Sequence, residues 1–230
     1  GMTAVSDAGL YRLMTWLSPS FPVGAFSYSQ GLEAAIAAGL VTCERSMAGW
    51  LQDSLAGGPL WSDAVIFARA HDAGRSNRHF NLIDVVNFAT AFQPSAELRM
   101  ETLAQGTAFM SAALLSWPCG ALETLRQAAG MDVAYPVAVA VAAAGHGIGE
   151  RAALHAWLHA AIANQVSAAI RLVPLGQNQG QRLLAGIETQ AGEARDAALL
   201  TPLSRLSTNC LMADICSMNH ETQHTRLFRS

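Results

Sequence analysis

Apolar residues recur along this chain at spacings of three and four, and this pattern predicts helices almost throughout. Strand signals are nearly absent, since apolar residues rarely alternate at a spacing of two and β-branched residues rarely run together. The first two predicted stripes are Leu10, Leu13, Met14 and Leu17, ended by Ser18 and Pro19, and Met47, Trp50, Leu51 and Leu55, ended by Gly57, Gly58 and Pro59.

The rest of the chain continues the same pattern. Pro59 opens a helix with Trp61, Val65 and Ala68 on one face. Further helices are predicted over 78–92, 95–117, 120–129, 135–147, 150–173, 178–198 and 203–218. The connections are short, so we predict an all-α fold: one compact helical bundle of about ten helices over residues 2–230, with a docking tail over 219–230.

The predicted helix over 150–173 is rich in alanine on several faces. That composition suits either the centre of the bundle or the close approach of a second copy, and sequence alone does not separate the two.

The composition indicates a partly covered surface. Hydrophobic residues make up 51% of the chain and charged residues only 13%, which favours an oligomer or a stable partner. The net charge is −3 and every basic residue other than histidine is arginine, with no basic stripe. These features argue against nucleic acid as a partner.

Two charge-free stretches, 133–149 and 152–170, raise the question of a membrane span. Proline, glycine and histidine interrupt the first, and the second is filled with alanine and polar residues, so no membrane segment is expected. Residues Asp7 and Arg12 break up any apolar signal region, which predicts a cytoplasmic protein. Gly1 precedes Met2 and is interpreted as a tag remnant. Four scattered cysteines without a CxxC pair predict no disulfides.

The connection from Ser18 to Glu33 contains prolines, a glycine and three aromatic residues. Ser27 and Gln30 match a capping box at the start of the next helix, which accounts for the polar residues structurally. Phe21, Phe26 and Tyr28 are left without such a role. Aromatic residues on a connection are candidates for partner contact.

Catalytic chemistry is poorly represented. The segment from His146 to Glu150 lacks the lysine of a phosphate loop, so a helix break with a capping glutamate is predicted. His155 and His159 share one helical face but lack the glutamate of a zinc protease. A small metal enzyme using these four residues is the rival hypothesis; we predict no catalytic residues, no resident metal and no cofactor.

The chain ends on an apolar pair flanked by cations, Arg226, Leu227, Phe228 and Arg229, before Ser230. Chain ends are usually small and polar, so this segment is predicted to dock, and a partner is favoured over the chain's own bundle. Further upstream, Arg171 lies in the last turn of a helix that Pro174 ends, where a cation favours the helix dipole.

Three blocks together resemble the signature segments of the UreF family of urease accessory proteins, in the same order and near both ends of the chain. They are Ser27-Tyr-Ser-Gln-Gly-Leu-Glu33 behind Pro22-Val-Gly24, Arg171-Leu-Val-Pro-Leu-Gly-Gln177, and His220-Glu-Thr-Gln-His-Thr-Arg-Leu-Phe-Arg-Ser230. Two residues depart from the family pattern: Asn219 stands where a basic residue is expected and His224 where a tyrosine is expected.

The resemblance implies an all-α homodimer that assembles with UreD (UreH in some organisms) and the GTPase UreG and delivers Ni²⁺ to apo-urease. It implies no catalysis by this chain and a tail that becomes ordered when UreD/UreH binds. A related hypothesis is that this chain modulates GTP hydrolysis by UreG. Transient nickel contact at Cys210, Cys216, His220 and His224 is a secondary hypothesis. The predicted partner-binding residues are Phe21, Phe26, Ser27, Tyr28, Gln30, Glu33, Arg171, Gln177, His220, Glu221, Arg226, Leu227, Phe228, Arg229 and Ser230.

Overall fold

The computed structural model describes residues 4–24, 30–76 and 78–206. These residues form ten helices and no strand. The helices are α1 (Asp7–Trp16), α2 (Gln30–Ala37), α3 (Glu44–Ala56), α4 (Pro59–Ser76), α5 (His79–Ala91), α6 (Ala96–Ser116), α7 (Gly120–Ala129), α8 (Tyr135–Gly145), α9 (Glu150–Leu172) and α10 (Gln177–Leu199). The all-α prediction is confirmed, and the predicted helix ends agree with these bounds within about two or three residues over most of the chain.

Helix starts follow the local chemistry of their first turns. The hydroxyl oxygen of Ser95 accepts a hydrogen bond from the Leu98 N–H at 3.1 Å, and Ser6 does the same for Gly9 at 3.0 Å. The Thr102 hydroxyl accepts from the N–H of Tyr135 at 3.1 Å, so one turn of α6 supports the start of α8. These caps satisfy backbone donors that a helix leaves unpaired.

Helix α8 is the centre of the bundle. Every residue from Tyr135 to Ala143 is buried, and α8 packs against α4, α6 and α7. Small residues allow α4 and α8 to approach closely. A Cβ added at Gly74 on α4 would stand only 3.2 Å from the Cβ of Ala144 on α8. The alanine-rich composition therefore marks the centre at α8, whereas α9 keeps an exposed face along Arg151, His155 and His159.

The prediction that Leu10 and Met14 lie on the buried face of α1 is wrong. Helix α1 buries Gly9, Leu13 and Trp16, while Leu10 and Met14 are exposed. The helix turns this way because Trp16 is the largest apolar group in it and packs edge-on against Phe109 at a ring distance of 6.0 Å.

Within the described ranges, no helix combines the length and the apolar character that crossing a membrane requires. Residues 203–206 make one further helical turn, and the rest of the predicted 203–218 helix lies outside the described residues.

Candidate functional site

An arginine in the interior of α4 contacts the start of α9 and the end of α10. The guanidinium of Arg69 donates to the carbonyl oxygens of Leu199 at 2.8 Å and Thr201 at 2.9 Å, at the end of α10. The same group lies 3.1 Å from a carboxylate oxygen of Asp72 and 3.4 Å from Oε1 of Glu150, the first residue of α9. The cation therefore pairs with two carboxylates and satisfies one carbonyl at the end of α10 and one just after it.

His71 is buried beside this network, with only 3% of its surface exposed. Its Nε2 lies 2.7 Å from the carbonyl oxygen of Ile148. Because a carbonyl only accepts, Nε2 carries the hydrogen and Nδ1 keeps its lone pair. Nδ1 has no hydrogen-bond partner and lies 3.9 Å from Oε2 of Glu150. Burial lowers the pKa of His71, which favours this neutral form.

The Glu150 carboxyl is the second unusual group of this cluster. Burial and the neighbouring Asp72 carboxyl together raise its pKa to about 7 against the opposing effect of Arg69. The helix break predicted before Glu150 is confirmed, with Gly147 at a positive φ of 72°. The side chain, however, reaches Arg69 and His71 rather than capping its own helix.

The other histidines of the rival enzyme hypothesis do not join Glu150. His146 contacts the Arg12 guanidinium at 3.0 Å and the Trp117 carbonyl at 2.8 Å, and His155 contacts Arg195 at 3.0 Å. Among the described residues, the three side chains of metal-ligand type that lie close together are instead His71, Asp72 and Glu150.

A second set of buried polar atoms lies along α6. Glu101 and Gln105 are one turn apart, and Phe109 follows one turn later against Trp16. Gln105 is only 1% exposed, and neither polar atom of its side chain has a hydrogen-bond partner. Burial raises the pKa of Glu101 to about 7, with a further contribution from the carboxylate of Glu33 on α2.

The predicted partner-binding residues lie at several places on the surface. Phe21 is half-buried and its ring packs on Phe109 at 5.4 Å, so part of this aromatic side chain supports the core. Glu33, Arg171 and Gln177 are exposed on α2, at the end of α9 and at the start of α10. Gln30 begins α2. The others lie outside the described residues: Phe26, Ser27, Tyr28, His220, Glu221, Arg226, Leu227, Phe228, Arg229 and Ser230.

Helix α1 presents apolar side chains that were not predicted as a contact surface. Leu10, Tyr11 and Met14 are 47%, 65% and 67% exposed, at positions that share one side of the helix. Exposed apolar groups grouped in this way commonly mark contact sites. We refer to these three residues as the α1 apolar face.

Sequence reasoning also missed Arg69, His71 and Asp72. The spacing of Arg69 and Asp72 at i, i+3 was visible as a helical ion pair. Their approach to Glu150 depends on how α4 packs beside the start of α9. The local sequence pattern of either helix does not predict this packing.

Comparison with known proteins identifies the family. The family model described as UreF matches residues 41–188. The urease accessory protein UreF of Bradyrhizobium diazoefficiens is 44% identical over 229 residues, covering 100% of this chain and 95% of that protein. The urease accessory protein UreF of Rhodopseudomonas palustris strain BisB5 is 47% identical over 229 residues, covering 100% of this chain and 94% of that protein. The resemblance inferred from three sequence blocks is thus confirmed over the full chain, and the rival enzyme hypothesis is wrong. The chain belongs to the UreF family, whose members are non-catalytic urease accessory proteins involved in urease maturation.

Proposed function

We propose that this protein is a homodimeric scaffold that assembles with UreD (UreH in some organisms) and the GTPase UreG and passes Ni²⁺ to apo-urease. The observation that carries the proposal is the similarity, along the whole chain, to proteins named urease accessory protein UreF. In this proposal, nickel is the transferred ion. The scaffold contributes binding energy and catalyses no reaction.

The exposed surface supports the proposal that this protein assembles with partners. The α1 apolar face leaves three large side chains exposed on one helix. The chain as a whole contains few charged residues, at 13% of its length. Covering apolar surface in a complex stabilises the bound state through the hydrophobic effect.

The docking tail, residues 219–230, is the part of the proposal that is easiest to test. Deleting residues 226–230 should leave a folded dimer that no longer forms the complex with UreD and UreG, because the apolar pair and its flanking cations are removed together. Size-exclusion chromatography of the co-expressed proteins measures assembly, and urease activity measures the consequence.

Two paired variants separate the contributions of the tail. Leu227→Ala with Phe228→Ala removes the apolar contact, and Arg226→Ala with Arg229→Ala removes the charge. The control is Arg45→Ala, which removes an exposed cation from α3. Complete assembly by the deleted chain would show that the tail assignment is wrong.

We also propose that the scaffold alters GTP hydrolysis by UreG, for which arginine is the usual protein contribution. The test is the rate of phosphate release by UreG with and without this protein and UreD. An unchanged rate in a fully assembled complex would remove this part of the proposal while leaving the scaffold role intact.

A further inference from the structure

We infer that His71, Asp72 and Glu150 form a binding site for one divalent transition-metal ion of borderline character, such as Ni²⁺ or Zn²⁺. The three ligand atoms lie within 4.8 Å of one another. Two ligands of a tetrahedral Zn²⁺ ion stand about 3.4 Å apart, since metal–ligand distances are about 2.1 Å. Closure by about 1.4 Å or less would bring the three side chains onto one ion.

The buried histidine is the observation that distinguishes this cluster from an ordinary ion-pair network. Its Nδ1 has no hydrogen-bond partner and lies 3.9 Å from Glu150 Oε2, a distance too long for a hydrogen bond. A buried acceptor without a partner costs free energy, and a metal ion would satisfy it.

The remaining ring nitrogen is already in the arrangement of a metal-binding histidine. Nε2 donates to the Ile148 carbonyl at 2.7 Å, which holds the ring and the tautomer in place. Metal ligands in proteins commonly donate their other ring N–H to such a carbonyl. His71 and Asp72 are consecutive on α4, and Glu150 begins α9, so rigid elements carry all three ligands.

Two arginines contact the carboxylates, and Nη2 of Arg69 bridges one oxygen of Asp72 and one oxygen of Glu150. Arg69 lies 3.4 Å from Oε1 of Glu150, whereas Oε2 faces His71. Asp72 is contacted by Arg69 at 3.1 Å and by the exposed Arg75 at 3.7 Å. Carboxylate oxygens have two acceptor sites each, so they can bind a cation and an arginine together.

The donor set indicates the class of ion. One imidazole nitrogen with two carboxylate oxygens suits Ni²⁺, Zn²⁺ and related first-row ions better than Mg²⁺, which prefers oxygen ligands alone. The Asp72 side chain is 40% exposed, so an ion could reach the cluster from solvent.

The experiment is a titration of the full chain with Ni²⁺, Zn²⁺ and Mg²⁺ by isothermal calorimetry. The chain carries alanine at the candidate ligands outside the described residues, so that they do not contribute: Cys210, Cys216, His220 and His224. We expect one equivalent of Ni²⁺ or Zn²⁺ and no measurable Mg²⁺. Glu150→Gln and Asp72→Asn should each weaken binding at least about tenfold, as loss of a ligand does more than loss of its supporting contacts.

The matched control is His155→Ala with His159→Ala, which removes the exposed histidine pair of α9. Unchanged affinity in the control, together with loss in the Glu150 and Asp72 variants, supports the site. Loss of binding in the control, full affinity in both ligand variants, or no binding of Ni²⁺ and Zn²⁺ by the starting chain would overturn it.

A second measurement covers the case in which a variant fails to fold, which circular dichroism would reveal. Imidazole ¹⁵N resonances of the chain are recorded with and without Zn²⁺. His71 is recognised as the ring whose N–H exchanges slowly because it is buried and bonded to Ile148. A shift at its Nδ1 on addition of Zn²⁺ is expected; an unchanged Nδ1 would overturn the site without any substitution.

Discussion

At the scale of single residues, buried ionisable groups are where this bundle departs from a simple apolar core. Glu101 lies on α6 close to Gln105, whose side chain is almost fully buried. The raised pKa of Glu101 means that the folded state favours the protonated carboxyl. On α4, the Arg69 guanidinium contacts two carboxylates and two backbone carbonyls.

The Glu101 carboxyl predicts a specific pH dependence. Its folded pKa of about 7 lies above the ordinary value of 4.5, so the folded chain binds more protons than the unfolded chain between these limits. The contribution of Glu101 to stability is therefore fully present below about pH 4.5 and is lost as the pH rises through 7. Glu101→Gln should raise the free energy of unfolding by about 2 kcal/mol at pH 8 and by little at pH 4.5.

Chemical denaturation of wild type and variant at pH 4.5, 6 and 8 measures this difference. The control is Glu193→Gln, at an exposed position on α10, which should change stability by less than about 0.5 kcal/mol at each pH. A difference for Glu101→Gln that does not vary with pH would contradict the prediction.

Arg69 is predicted to contribute more to stability than any exposed ion pair. Arg69→Gln leaves Glu150 without its cation and Asp72 with the exposed Arg75 alone, and it removes donors from two carbonyls, so the free energy of unfolding should fall by about 2–4 kcal/mol. Arg182→Gln breaks the ion pair with Glu44, but Arg182 is 61% exposed, and its loss should cost much less than the loss of Arg69 because water screens the pair. Denaturant midpoints compare the two; equal losses would show that burial of Arg69 has no energetic effect.

At the scale of elements, the packing of α6 against α8 depends on one position without a side chain. A Cβ at Gly106 would clash with the carbonyl oxygen of Val133, just before α8. The neighbouring Thr102 hydroxyl also holds the first N–H of α8, so α6 both approaches and caps the central helix. This contact explains why glycine lies in the interior of a long helix despite its low helix propensity.

Gly106→Ala should therefore lower the free energy of unfolding by about 3 kcal/mol or more, because the backbone of α8 must shift to admit the methyl group. Gly49→Ala is the matched control: Gly49 lies inside α3 with nothing within 4 Å of a Cβ. That substitution should stabilise the chain by about 0.5–1 kcal/mol through helix propensity alone. Thermal unfolding distinguishes the two, and a stabilising Gly106→Ala would refute the packing argument.

At the scale of the whole molecule, the bundle combines a dense core with an incompletely polar surface. The core spans α1 to α10 and surrounds α8. Outside it, the α1 apolar face remains exposed although its residues continue the apolar pattern of the sequence. A face of this kind is stabilised when another chain covers it.

Tyr11→Ser with Met14→Ser should change the stability of the isolated chain by less than about 0.5 kcal/mol, since both side chains are largely exposed. The same pair should weaken self-association or assembly with UreD and UreG, measured by analytical ultracentrifugation and co-purification. Leu200→Ser, at an exposed position after α10, serves as the control. Normal behaviour of the double variant in both assays would show that the α1 apolar face is not an interface.

The helices and the family were predictable from the sequence by itself. Helix positions follow from apolar spacing, caps and breakers, which act within a few residues, so the ranges from 59 onward agree closely with the structure. The three sequence blocks indicated the UreF family, which the full-length relatives confirm. The low charged fraction also pointed to a covered surface, because composition limits how much of a chain water can solvate.

Tertiary structure alone decided which faces are buried and which polar groups meet. Leu10 and Met14 share the apolar pattern of α1, yet the packing of Trp16 on Phe109 turns them outward. His71 and Glu150 are far apart in the sequence, and they meet because α4 packs beside α8 and the start of α9. Such contacts arise from the summed packing of many apolar side chains, so no short segment of the sequence encodes them.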